Sequence, residues 1–284
     1  MNQTQDILTV RNLDVTFARS AVKAVSGVSL GLGRGKVGIV GESGSGKSTL
    51  GRAIMRLLPG SARVTADQLT FDGRPLLRQS EREMRDLRGN SMSLIMQDPR
   101  YSLNPVLPIG RQVAETAILH KGMSRRDAEH AAATMLERVR IQDVSRVMQS
   151  YPHQISGGMG QRVMIAAMLL ARPRLVIADE PTSALDVSVR GEVLELLEEL
   201  VTADGSSLLL ISHDIRMVAS FCDRIIVMYK GRVVEELDRL SDAAHPYTLG
   251  LIAAMPDARH PVRRLRVPDR ASFDHTLKRS GVPA

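Results

Sequence analysis

The stretch Gly41-Glu42-Ser43-Gly44-Ser45-Gly46-Lys47-Ser48-Thr49 decides how this chain is read. It fits the spacing G-x-x-x-x-G-K-[S/T] at every fixed position. Before it, Val37-Gly38-Ile39-Val40 reads as a short buried strand. After it, Leu50, Ile54, Leu57 and Leu58 recur at helical spacing until Pro59-Gly60 ends the run. A loop without large side chains wraps a phosphate chain with backbone N–H groups, and the helix N-terminus adds partial positive charge. Lys47 is expected to reach β- and γ-phosphates, and the Ser48 hydroxyl to ligate Mg²⁺. An ordinary glycine-rich turn is the rival explanation; the flanking strand and helix weigh against it.

Outward from the loop, residues 7–31 alternate in strand fashion, with Ile7, Leu8, Val10, Leu13, Val15 and Phe17 leading. Two or three antiparallel strands are expected there. Gly31-Leu32-Gly33-Arg34-Gly35 does not make a dinucleotide site, because it precedes the strand and lacks the third glycine in place. A short strand and turn follow at 63–75, with Asp72-Gly73 as the turn signal, and a charged helix at 80–90. Residues 107–150 read as helical; Ser124 with Asp127 resembles a capping box, and Ala128, Ala132, Met135 and Leu136 form an apolar stripe behind it. Buried strands alternating with helices then fill the rest, at 175–178, 208–211 and 225–228, with a Lys230-Gly231 hairpin turn. The pattern predicts an α/β fold with a mainly parallel core sheet, an antiparallel β-subdomain and an α-helical subdomain near 98–168.

Composition narrows the class. The 284 residues carry 43% hydrophobic and 24% charged residues, as a globular chain does. The single cysteine, Cys222, excludes a disulfide framework and reads as a small core residue. The longest apolar run, Val163 to Ala171, is about half of what a membrane-spanning helix needs, so the chain itself is expected not to cross a membrane. Net charge is +7, which permits contact with nucleic acid or an anionic membrane surface. Aromatics at 3% and the lack of tryptophan make a poor base-stacking platform, so no nucleic acid is expected as a partner.

The chemistry-bearing residues fall at strand C-terminal ends, where α/β sheets place ligands. Asp179 follows four apolar residues and can hold Mg²⁺ through water; Glu180 beside it can polarise a water for attack on a γ-phosphate. Alone, the pair is more often a solvated acidic step; beside a phosphate loop it is a catalytic candidate. His213, after Leu208–Ser212, can contact the γ-phosphate and orient Glu180, or be structural. Gln97, after Ser93–Met96, can ligate Mg²⁺ or water and report phosphate state to the helical block. Finally, Ile155-Ser156-Gly157-Gly158-Met159-Gly160-Gln161 opens a second helix whose N-terminus can take an anion. A second such site makes sense if it closes over another subunit's nucleotide; a plain loop before a buried helix is the alternative.

Taken together, the phosphate loop, Gln97, the ISGGM segment at 155–159, Asp179-Glu180, Ser183-Ala184-Leu185-Asp186 and His213 resemble the ATP-binding subunit of an ABC transporter, over residues 1 to about 235. The resemblance implies a P-loop NTPase of ABC type over 1–250, followed by a short basic extension at 251–284. It implies a head-to-tail dimer with an identical or paralogous ATPase subunit, each ATP lying between one phosphate loop and the other subunit's Ser156-Gly157-Gly158. Asp186 is implied to couple the two sites. Phe17 stands where an aromatic stacks on adenine; a core phenylalanine is the rival. Tyr151-Pro152-His153-Gln154, Gln97-Asp98-Pro99, Leu103-Asn104-Pro105 and His245-Pro246-Tyr247-Thr248 resemble the oligopeptide, dipeptide and nickel uptake group. That narrower likeness implies import, two integral membrane permease subunits, an extracytoplasmic solute-binding protein, and a peripheral position on the cytoplasmic face of the inner membrane. Gly160 departs from the group, which usually has Arg there. With no cysteine after Cys222, no iron–sulfur cluster is expected. The rivals are a soluble ABC ATPase acting on nucleic acid or ribosomes, which would usually carry a long coiled-coil insertion or tandem ATPase domains, and a P-loop kinase or GTPase, which lacks the ISGGM segment.

Overall fold

The structure is a computed structural model and describes residues 6–18 and 22–255. Two long strands, β1 (Leu8–Phe17) and β2 (Val22–Leu32), pair antiparallel, as their alternating burial requires. β3 (Lys36–Val40) then feeds the phosphate loop and α1 (Lys47–Ile54). β4 (Ala62–Thr65), β5 (Gln68–Phe71) and β6 (Arg74–Pro75) complete the antiparallel layer, β4 and β5 both pairing with β1. Asp72 and Gly73 both take positive φ at the β5–β6 turn, as a tight hairpin demands. α2 (Glu81–Leu87) and β7 (Met92–Ile95) follow.

Five helices separate β7 from the next strand: α3 (Pro99–Ser102), α4 (Ile109–Lys121), α5 (Arg125–Arg138), α6 (Val144–Gln149) and α7 (Gly157–Leu169). β8 (Leu175–Asp179), α8 (Val187–Ala203), β9 (Ser207–Ser212), α9 (Ile215–Phe221), β10 (Arg224–Tyr229), β11 (Arg232–Leu237) and α10 (Pro246–Ala253) finish the described chain. The second sheet runs β11-β10-β3-β9-β8-β7, parallel throughout except for the β10–β11 hairpin. Its central strands are buried on both faces, hence their unbroken runs of Leu, Ile and Val.

Each face of this sheet has its own core. One joins α1 and the β1–β2 layer to Ile39, Ile177, Leu209 and Ile226. The other joins α4, α5, α7 and α8 to Val176, Leu208, Leu210 and Val227 on the opposite face. Burying one such aliphatic side chain contributes roughly 1.5–3 kcal/mol, so the alternation along β8, β9 and β10 ties both helical layers to the sheet.

Several local expectations need correction. The helix after the phosphate loop stops at Ile54 rather than running to Leu58. Arg56 turns left-handed (φ 52°), its guanidinium donates to the carbonyls of Leu76 and Gln79, and Leu57 is exposed. Tertiary hydrogen bonds to a distant carbonyl pair thus override the apolar spacing. At Ser124 the Oγ accepts from the Asp127 N–H and donates to Asp127 Oδ2 at 2.7 Å, so the pair closes side chain to side chain, where a capping box has the N-cap N–H as donor. A complete capping box lies at Ser80 and Glu83. Of the basic extension expected at 251–284, residues 256–284 lie outside the described residues.

Candidate functional site

The phosphate loop leaves the end of β3 with its backbone in the left-handed half of φ space. Gly41 has φ 155°, and a Cβ there would stand 2.1 Å from the Met228 carbonyl oxygen. Gly46 has φ 99° and caps α1, with Ala24 O 2.4 Å from where its Cβ would be. Neither position admits a side chain. Lys47 is 4% exposed. Its ammonium donates to the carbonyls of Gly41 (2.7 Å) and Glu42 (2.8 Å), 3.4 Å from Ser45 Oγ. Burial lowers its pKa from the ordinary lysine value, while the carboxylates of Glu180, Asp179 and Glu42 pull the other way. Glu42, Ser43, Gly44 and Thr49 complete the loop; Ser43 and Gly44 are exposed at its tip.

Because β3, β8 and β9 run parallel, their C-terminal ends share one edge of the sheet. That register brings Asp179 to the start of α1: Ser48 Oγ donates to Asp179 Oδ1 at 2.7 Å. Asp179 is 6% exposed. Desolvation raises its carboxyl pKa above the usual range; Ser48 and Arg52 oppose this and Glu180 adds to it. Glu180 has φ 48°, an uncommon conformation for a residue with a side chain. Its N–H donates to Ile211 O (2.9 Å) and its carbonyl accepts from Ser183 N (3.2 Å) and Ser183 Oγ (3.1 Å). The strained backbone is thereby over-determined, and its carboxylate reaches His213, Nδ1 to Oε2, at 3.3 Å. The imidazole remains 55% exposed.

The remaining sequence candidates lie apart from this cluster or at its margin. Gln97 is exposed, two residues past β7, with Asp98 capping α3 behind it. Phe17 ends β1, pairs with Val22 and Ala62, and packs half-buried against the first core. Ser156, Gly157 and Gly158 open α7, the Ser156 Oγ accepting from Met159 N–H. With Arg140, Arg162 and Asp186 they line a groove of about 570 Å³, whose lining includes none of Lys47, Ser48, Asp179, Glu180 or His213. One chain therefore brings together Lys47, Ser48, Asp179, Glu180 and His213, and leaves Ser156–Gly158 and Asp186 on another face.

Two contacts to the loop escaped the sequence. Gly231, in the β10–β11 turn, donates its N–H to Ser45 O at 3.0 Å. Tyr247, from α10, accepts the Glu42 N–H on its hydroxyl at 2.8 Å. The only signal was the His245–Thr248 stretch, which has no periodicity linking it to a loop 205 residues away.

Comparison with known proteins identifies the family. Residues 25–183, more than half of the chain, match the family model described as ABC transporter. The chain is 44% identical over 270 residues to a probable peptide ABC transporter ATP-binding protein of Sinorhizobium fredii, covering 93% of this chain and 80% of that one. It is 45% identical over 256 residues to the oligopeptide transport ATP-binding protein OppD of Salmonella typhimurium, covering 88% and 76%. Among solved structures, the ATP-binding cassette MJ0796, a dimeric post-hydrolysis state bound to ADP and Pi, superposes with a TM-score of 0.72 at 28% identity, over 81% of this chain and 98% of that one. With a loop built for phosphates, a strand-end carboxylate pair and relatives of this closeness, the chain belongs to the ABC transporter family, as one of its ATP-binding, ATP-hydrolysing subunits.

Proposed function

We propose that this subunit powers an importer of peptides, or of a related small solute such as a nickel chelate, by hydrolysing ATP at the β3–α1 loop. The observation that carries the catalytic half is the meeting of Ser48 with Asp179, and of Glu180 with His213, at one sheet edge beside Lys47. The names of the relatives, peptide and oligopeptide transport proteins, support the cargo class. Lys47 and the amides of Gly41–Thr49 hold the β- and γ-phosphates. Ser48 and Asp179 offer hard oxygen donors 2.7 Å apart, a set suited to Mg²⁺, with Gln97 as a further oxygen ligand. Mg²⁺ held there would neutralise charge on the phosphate oxygens. Glu180 takes the proton of the attacking water, and His213 orients the carboxylate and faces the γ-phosphate. Phe17 lies against the adenine.

In this reading the second wall comes from another ATPase subunit, identical or paralogous. Its Ser156, Gly157 and Gly158 face the γ-phosphate, and Asp186 links the two sites. The groove holding Ser156–Gly158 and the dimeric relative of known structure support that geometry. The helical block from α3 to α7 receives the membrane subunits near Gln97. There a groove of about 530 Å³ is lined by Pro99, Leu103, Pro152 and Ile155, and Tyr101 and Val106 are exposed. No described helix is long and apolar enough to cross a membrane. In this reading attachment runs through two permease subunits, with a solute-binding protein outside, and the ATPase sits on the cytoplasmic face of the inner membrane, as the names of the transport relatives support.

The test is Glu180→Gln in the assembled transporter. ATP binding should persist while steady-state hydrolysis falls by about 10²–10⁴. Normal turnover would remove Glu180 from the role of base. Peptide uptake by the reconstituted complex, with nickel chelates as the competing cargo, tests the substrate class.

A further inference from the structure

We propose that Tyr247 is a positioning residue for Lys47, acting through the peptide unit between Gly41 and Glu42. The two polar ends of that one peptide are both engaged. Its carbonyl, on Gly41, accepts the Lys47 ammonium at 2.7 Å. Its N–H, on Glu42, donates to the Tyr247 hydroxyl at 2.8 Å. A trans peptide points its C=O and N–H in opposite directions, so fixing the N–H fixes the direction of the carbonyl. Tyr247 thus sets the direction of an acceptor that Lys47 uses.

Tyr247 is itself held on every side. It is 1% exposed, and its ring packs on Tyr229 with centroids 4.4 Å apart and planes tilted by 40°. Its own N–H donates to His245 Nδ1, which caps α10. Pro246 occupies the first turn. The approach to the helix is anchored by Glu235 on β11, whose Oε1 accepts from the N–H groups of Ala244 (2.7 Å) and His245 (2.9 Å). Tyr229 closes β10, directly before the turn whose Gly231 N–H donates to Ser45 O. The loop is thus gripped at its start by α10 and at its middle by the β10–β11 turn. A phenylalanine at 247 would fill the same space against Tyr229 and leave the Glu42 amide without this acceptor.

Tyr247's role rests on the phosphate-loop assignment made under Proposed function, and one experiment separates the two. ATP binding to the full chain is measured by calorimetry, together with the KM and kcat of hydrolysis, for Tyr247→Phe, Thr248→Val and Lys47→Ala. Thr248 is equally buried on the same helix, and among the described residues its hydroxyl makes no hydrogen bond to the loop. Tyr247→Phe should weaken ATP binding and raise KM about five- to tenfold, the effect of one misdirected hydrogen-bonding group, while Thr248→Val stays within about twofold of the parent. Hydrogen exchange at the Glu42 amide should quicken in Tyr247→Phe with the α10 amides unchanged. Parental ATP binding and KM in Tyr247→Phe, alongside lost binding in Lys47→Ala, would overturn the role of Tyr247 and leave the site standing. Equal weakening by Thr248→Val would also overturn it, as the signature of general loosening of α10. Parental binding in Lys47→Ala would instead sink the site assignment itself.

Discussion

The two glycine-rich helix starts of this chain are built in opposite ways. The one before α1 is packed at its two ends, with only the tip at Ser43 and Gly44 exposed. Gly41 abuts the Met228 carbonyl, Gly46 abuts Ala24, and Lys47 is buried under loop carbonyls and carboxylates. The one before α7 stands open. Ser156 and Gly157 are exposed, and a Cβ on Gly157 would meet nothing within 4 Å. Glycine before α1 is required by the chain's own fold. Nothing among the described residues requires glycine at 157. In the reading proposed above, the same residue type marks a finished half-site in one place and an unfinished one in the other.

This contrast can be broken in graded steps. Gly41→Ala should be the most damaging change, costing on the order of 3 kcal/mol or more, because its Cβ meets backbone rather than a movable side chain. Thermal denaturation of the isolated chain reads this directly; a variant as stable as the parent would mean that the loop is not confined. Ser156→Ala should cost about 1 kcal/mol, the loss of an N-cap on a 13-residue helix, with no change in ATP affinity of the single subunit. A drop in that affinity would place Ser156 in the subunit's own site. Asp179→Asn probes the packed half through pH. A carboxyl whose folded pKa is raised contributes most below its unfolded pKa and loses that contribution as pH rises through the folded value. The melting temperature of Asp179→Asn should therefore gain on the parent as pH rises from the ordinary carboxylate range towards neutrality. A gap that narrows with rising pH would show that the Ser48 bond outweighs burial. Gly157→Ala should shift stability least, within about 0.5 kcal/mol. A large melting shift in that variant would mean that the open start is less open than its geometry indicates.

How far the sequence could be read follows the same division. Lys47, Ser48, Asp179, Glu180 and His213 were legible because each sits where a local apolar run ends, and a parallel sheet gathers such ends on one edge. The hairpin at Lys230-Gly231 and the helix start at Ser156 were legible for the same local reason. The early end of α1 was not, since it depends on Arg56 finding carbonyls in the segment between β6 and α2. Nor was the grip of Tyr247 on Glu42, where a hydroxyl from the far end of the described chain meets a backbone amide. The Ser80–Glu83 box followed a readable S-x-x-E spacing, yet the charged composition of that stretch concealed it. Contacts between distant segments leave no periodicity, and the sequence is silent about them.

One carbonyl deserves a last consequence. Ala24 O, on β2 of the antiparallel layer, lies against both Gly46 at the start of α1 and Gly231 in the β10–β11 turn. Ser26 N–H, two residues on, donates to Gly231 O at 2.8 Å. The phosphate loop is therefore also the seam along which two sheets are joined. A ligand that tightens this loop stiffens the joint between layers, so the mechanical state of the whole subunit can follow what happens at a handful of backbone atoms.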